Sequence, residues 1–238
     1  MSQTAPRRKS RASSGLPPIT ADKIIDSAVE LTAERGLDGW SIRQVSTKLG
    51  VWPGVIAHHV GDRDAVVMGV TDRVISRIPV PDADVPWREW FRTLMLEGRA
   101  VLRRYPGVAR RMVVVGPNVP SALSTIDIGI RVLLDAGFGE HATQVYRYLL
   151  NSAFMLVAVE DDRGDYPTAR ADMGRVMAAF AGDDTRPGLA AAAAEAIARE
   201  ANPADVADHE LAFFRFTVER SLDGAEAMLR PPAESADH

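Results

Sequence analysis

Residues 41–63 read S-I-R-Q-V-S-T-K-L-G-V-W-P-G-V-I-A-H-H-V-G-D-R. Capping and periodicity predict two short helices here, joined by a tight turn. Ser41 is a good helix N-cap, and Gln44 follows three residues later, which makes a capping box. Trp40 before the cap and Val45 at the fourth helical position form a hydrophobic staple. Val45 and Leu49 share one apolar face. Gly50 ends the helix, since a residue without Cβ turns left-handed at little cost. Pro53 suits the start of a second helix, where no amide partner is needed. Ile56 and Val60 supply its buried face, Gly61 stops it and Asp62 caps a third helix. Helix, glycine turn, helix at this spacing is the helix-turn-helix pattern, whose second helix enters the DNA major groove. An ordinary helical hairpin in a core has the same periodicity, and periodicity alone leaves both readings open.

Upstream, Thr20 caps a helix that buries Ile24, Ala28 and Leu31 and ends at Gly36. Downstream, Asp64 to Ile78 continues as a helix with Val67, Val70, Val74 and Ile78 inward, until Pro79 and Pro81 stop it. The stretch P-V-P-D-A-D-V-P at 79–86 is the clearest boundary in the chain. Beyond it, helical patterns cover Trp87–Arg104, Val108–Val115, Ser121–Ala136 and Glu140–Glu160, followed by a D-D-R-G-D-Y-P loop. Residues 181–204 are biased towards Ala, Gly, Asp and Pro, with a helix expected at Leu189–Arg199. Asn202-Pro203 opens the last helix, which runs to Arg230. No strand pattern occurs. The expected fold is all-α: a basic arm at 1–18, an N-terminal three-helix helix-turn-helix domain at 19–78 and a larger helical domain at 79–238.

The 238 residues include no cysteine, which excludes a disulfide scaffold and a thiolate metal site. No run approaches the ~20 apolar residues of a membrane span, and no apolar segment follows the basic N-terminus, so a cytoplasmic protein is expected. The net charge of −4 is unevenly divided. Residues 1–19 carry Arg7, Arg8, Lys9 and Arg11 and no acid. Residues 20–78 hold seven basic and eight acidic residues, and residues 79–238 hold 17 basic and 24 acidic ones. Local placement, not the total, sets attraction to phosphate. A Ser-, Pro- and Arg-rich arm of this kind either follows a DNA groove or is a solvated tail.

The motif resembles the DNA-binding domain of the tetracycline-repressor (TetR) family. Ser41, Arg43, Val45, Leu49, Gly50, Val51, Ile56, His59 and Val60 fall on that family's pattern without a gap. Arg63 takes the place of the family lysine and Val66 that of the following leucine. The resemblance covers residues 19–78, about a quarter of the chain. It departs at Ala57, which replaces a phosphate-contacting tyrosine, and at Trp52, where small or polar residues are usual. It implies a homodimeric regulator on a palindromic operator of double-stranded DNA, as a repressor released by a small molecule. Arg43, Trp52, Val55 and His58 are then expected towards bases, beside Pro53 at the opening of the recognition helix. Ser41, His59 and Arg63 are expected towards phosphates. Trp52 has a second reading, closing the small core, and Lys48 reads as a solvated outer-face residue.

A small, mainly apolar effector is expected in the second domain. Its helices carry Trp90, Phe91, Met95, Met112, Phe154 and Met155, with Asp127, Gln144, Tyr146 and Asn151 as polar groups that orient a ligand. Plain core packing is the bland reading of each. For dimerisation, Glu140–Glu160 has one stripe of Tyr146, Leu149, Ala153 and Leu156 and another of Leu150, Phe154 and Val157. The 203–230 helix has Ala207, Leu211, Phe214, Val218, Ala225 and Leu229. A helix apolar on two sides is buried on both, one against its own domain and one against a partner. The motifs G-x-S-x-G, G-x-x-x-x-G-K and H-E-x-x-H are absent, and no cofactor is implied. His58 and His59 diverge by about 100° on a helix and make a poor metal pair. Glu160, Asp161, Asp162 and Asp165 lack Ca²⁺-loop spacing. The alternatives are a DNA-binding regulator without a ligand, which would lack a cavity, and a helical enzyme.

Overall fold

The computed structural model describes residues 18–164, 166–200 and 206–229, and these form helices without strands. In chain order they are α1 (Ala21–Arg35), α2 (Ile42–Leu49), α3 (Pro53–His59), α4 (Arg63–Ile75), α5 (Trp87–Leu102), α6 (Val108–Val115), α7 (Pro120–Asp135), α8 (Ala142–Arg163), α9 (Pro167–Ala178), α10 (Pro187–Glu200) and α11 (Val206–Glu226). The expected basic arm lies outside the described residues, as does the expected start of the last helix at Asn202-Pro203. No single helix among the described residues is long and apolar enough to cross a membrane.

Helices α1–α4 close around Ile24, Ala28, Val45, Ile56, Val66, Val70 and Val74, none of which reaches the surface. Trp40 completes this small core, and its indole nitrogen donates to Thr32 Oγ1 at 2.8 Å. Helices α5, α7, α8 and α11 form a second layer around Trp90, Phe91, Leu133, Leu149, Phe214 and Leu222. The Trp90 indole donates to the Pro81 carbonyl at 3.0 Å and so pins the linker to the second layer.

Two differences from the sequence expectation have physical causes. Helix α8 runs to Arg163, through acids expected in a loop. Carboxylates near a helix C-terminus oppose the helix dipole, but here each finds a compensating donor. Arg99 pairs with Glu160 at 3.0 Å and Arg103 with Asp161 at 2.7 Å, and Asp161 also accepts the Gly107 amide at 3.2 Å. Arg110 reaches Asp162 at 3.4 Å. Helix α9 forms where the sequence offered no element, opened by Pro167 at a position that tolerates it. It pairs chiefly with α10, which covers more of 181–204 than expected.

The two layers are stitched by polar contacts as well. Asp72 on α4 accepts the Ser121 amide in the first turn of α7 at 2.9 Å. The Pro106 carbonyl accepts the Leu37 amide at 2.8 Å. Arg77 donates to the Tyr105 hydroxyl.

Gly129 in α7 is where the second layer tolerates no addition. A Cβ there would stand 2.6 Å from Tyr146 Cε2 and 2.9 Å from the fully buried Trp90 ring. Gly129→Ala gains about 1 kcal/mol of helix propensity but overpacks the site at a cost of about 1–3 kcal/mol. The expected result is a lower thermal unfolding midpoint than wild type. A raised midpoint would show that the rings yield freely.

Candidate functional site: an exposed helix pair and an apolar cavity

The predicted capping box is formed. Ser41 Oγ accepts the Gln44 amide at 3.3 Å, and the Ser41 amide donates to Gln44 Oε1 at 2.8 Å. Gly50 turns the chain with φ +64°, ψ +37°, the left-handed conformation that glycine adopts most cheaply. Val45 and Ile56 face the core, so the opposite face of the pair is solvent-facing. It presents Ser41, Arg43, Trp52, Pro53, His58 and His59 together, with Val55 half-buried among them. Trp52 is 68% exposed and therefore does not close the small core. Trp40 does that.

The cations of this unit have different neighbours. Lys48, expected to be merely solvated, bridges Glu30 at 2.9 Å and Glu34 at 3.3 Å. Arg63 was expected to be open to phosphate. It is instead half-buried and donates to the Leu37 carbonyl at 3.1 Å and to Asp38 at 3.4 Å, with its guanidinium 5.1 Å from the Trp40 ring centroid. Arg63 thus braces the α1–α2 loop. Arg73 ties up Asp22 and Asp26. Among the described residues, Arg43 is the motif cation with no ion pair, and it is exposed.

A cavity of about 380 Å³ lies between the end of α4 and helices α5–α8. Ile75, Ile78, Leu94, Met112, Ile126, Ile130, Leu150 and Phe154 supply its apolar walls. Thr125, Thr143, Tyr146, Arg147 and Asn151 are its polar side chains. Burial raises the Tyr146 pKa far above the ordinary phenol value, so its hydroxyl stays protonated and can donate.

Met112, Tyr146, Asn151 and Phe154 line this cavity as the sequence suggested. Six other candidates do not. Trp90, Phe91 and Met95 are fully buried core, with the Trp90 and Phe91 rings edge-to-face at 4.8 Å. Phe91 backs Tyr146 from behind, at 5.9 Å between ring centroids. Asp127 is exposed, because Ile126 and Ile130 occupy the inward side of α7. Met155 is half-exposed on the outer side of α8. Gln144 joins Arg147, Tyr148, Asn151 and Ser152 around a shallower hollow on that outer side.

Sequence reasoning missed Arg147 and the α4 residues Ile75 and Ile78. A signal existed for Arg147. Thr143, Arg147, Leu150, Asn151 and Phe154 recur at three- and four-residue steps along one helix face. The stripes expected at a partner surface also turn out differently. Leu149, Ala153, Leu150, Phe154 and Val157 of α8 and Phe214, Val218 and Ala225 of α11 all pack within the chain. Ala207 lies outside the described side chains. The apolar residues left outside are Tyr148, Met155 and Val159 on α8 and Phe213, Phe216 and Met228 near or on α11.

Comparison with known proteins supports the same architecture. Residues 79–229 match the family described as "Tetracyclin repressor-like, C-terminal domain". The chain is 25% identical over 123 residues to the tetracycline repressor protein class D of Escherichia coli, a match covering 50% of this chain and 56% of that protein. It is 31% identical over 138 residues to an HTH-type transcriptional regulator of Saccharopolyspora erythraea, covering 56% of each. The matches thus span only about half the length of these relatives. Apo ActR from Streptomyces coelicolor superposes with a TM-score of 0.69 at 19% identity, over 89% of this chain and 99% of that one. The same protein in complex with actinorhodin gives 0.66 at 20% identity, over 88% and 99%. The family match spans well over half of the chain, and with the helix-turn-helix geometry it places this protein in the TetR family.

Proposed function

We propose that this protein is a sequence-specific DNA-binding transcriptional repressor, released from a palindromic operator by a small, mainly apolar effector. One observation carries the reading. Helix α4 starts beside the exposed helix pair, and its far end forms a wall of the cavity. In this reading residues 19–78 bind DNA, and residues 79–238 bind the effector and a second copy of the chain. A relative of the same fold has been solved with actinorhodin, a small molecule, and others are named as repressors.

Arg43, Trp52, Val55 and His58 would face bases, with Pro53 letting α3 enter end-on. Ser41 and His59 would face phosphates. Arg63 would do so only by sharing or leaving its contacts to Leu37 and Asp38. Arg43 is the strongest candidate for direct readout, since a guanidinium matches the two acceptors of guanine. Helix-turn-helix proteins usually read two half-sites as dimers. The exposed rows Tyr148–Met155–Val159 and Phe213–Phe216–Met228 fit a four-helix contact between two copies. The effector acts only if it binds the DNA-incompetent state more tightly. By reciprocity, operator DNA weakens the effector by the same factor.

Two outcomes are expected. Arg43→Ala costs roughly 1–3 kcal/mol of operator affinity and relaxes specificity at one base pair per half-site, measured by fluorescence anisotropy against single-position operator variants. Equal loss on every sequence would make Arg43 a phosphate contact. Met155→Glu together with Phe216→Glu yields a folded monomer by light scattering at micromolar concentration, with operator binding lost. A wild-type protein that is monomeric and still binds operator would sink the dimer reading.

A further inference from the structure

We infer that the effector is an organic anion, with an apolar body seated in the cavity and its acidic group held at the mouth by Arg147 and Asn151. The inference rests on the reading of this cavity as the effector site.

The lining is the first observation. Of the cavity's side chains only Arg147 is charged, and no carboxylate is among them. The surrounding domain is otherwise acid-rich, with 24 acidic against 17 basic residues over 79–238. A lining drawn from that domain at random would favour acids. This one holds a lone cation.

The second observation is where the domain's other arginines go. Arg88, Arg92, Arg99 and Arg103, which stand among the packed helices, each pair with carboxylates of α8 or α11. Arg147 is exposed and, like the exposed Arg131 and Arg215, has no ion pair among the described residues. Arg147 and Asn151 line both the cavity and the shallow hollow beside Gln144. The cavity therefore carries one charged side chain, a solvent-exposed cation, against mainly apolar walls.

The third observation is the row of donors. Thr143, Arg147 and Asn151 are spaced four residues apart on α8, so their side chains stack along one face with Cβ atoms about 5–6 Å apart. Tyr146 adds a protonated hydroxyl from within. A carboxylate or sulfonate has several lone pairs and can accept from an arginine fork and an amide together. A neutral ligand would gain nothing from the Arg147 charge, which is exposed to water, and a cationic one would be repelled.

The test uses two dyes with one ring skeleton, 1-anilinonaphthalene-8-sulfonate and the uncharged N-phenyl-1-naphthylamine. Each is titrated by fluorescence into the full chain, into Arg147→Met and into the cavity-filling variant Ile126→Trp, with light scattering on each protein. The sulfonate is expected to bind wild type at least tenfold more tightly than the neutral dye. Arg147→Met should erase that preference while moving the neutral dye less than twofold. Ile126→Trp should weaken both. Equal affinities in wild type, or equal loss of both dyes in Arg147→Met, would overturn the anion and leave the cavity standing. So would a change of oligomeric state in Arg147→Met without a change in dye preference, which would make Arg147 a contact between copies. Dye binding that ignores Ile126→Trp would remove the cavity as a binding site, and the anion with it.

Discussion

Helix α4 is buried against two sets of neighbours that otherwise share little. Val66, Val70 and Val74 point into the small core of α1–α3, and Ile75 and the following Ile78 close the cavity wall. Full burial of a valine is worth about 1.5–3 kcal/mol relative to exposure. The three valines thus hold α4 to the helix-turn-helix unit more firmly than any polar contact could. The link to the second layer combines packing with a directional contact. Ile75 and Ile78 are buried against it, and Asp72 accepts the Ser121 amide in the first turn of α7, where a carboxylate is favoured by the helix dipole. Ile75 and Ile78 also border the cavity.

The buried acids of α8 belong to the same architecture. Glu160 is almost wholly buried between Arg99 and Arg103, and Asp161 is equally enclosed. Desolvation raises both carboxyl pKa values, and the arginines only partly offset it. Groups raised in this way favour the folded state less as pH climbs above the ordinary carboxylate range. The pair also has a positional role. Asp161 fixes the Gly107 amide, and the neighbouring Pro106 carbonyl receives Leu37 from the α1–α2 loop. That loop in turn receives Arg63. A hydrogen-bonded route therefore runs from α8 to the start of α4, separate from the valine core.

The motif was legible because its signals are local. Ser41 with Gln44, Gly50 and Pro53 are each decided within a few residues, and each formed as the sequence implies. The cavity was less legible, because a cavity is where side chains fail to meet. Trp90, Phe91 and Met95 look like ligand-binding residues in sequence, yet their size is what makes them fill the core completely. Ile75 and Ile78 look like core and are buried, yet they also border the cavity. Helix α8 is apolar on most of its circumference, so periodicity could not rank its stripes. Tyr148, Met155 and Val159 stayed outside because α5, α6, α7 and α11 took the other sides.

The length of α4 also sets a mechanical ratio. Thirteen residues span about 20 Å, and Val66, Val70 and Val74 are packed along most of that length. A helix held over its whole length moves as one piece with what it is packed against. In the proposed repressor, about 1 Å of displacement at Ile75 would reach Arg63 undiminished, and a twofold axis between two copies would double it between the recognition helices. Half-sites about 34 Å apart tolerate little error, since base-edge contacts are set to tenths of an ångström. In the proposed repressor the cavity therefore need not open widely for its contents to matter. There, a body one methyl group too thick would be felt on the DNA side as misalignment.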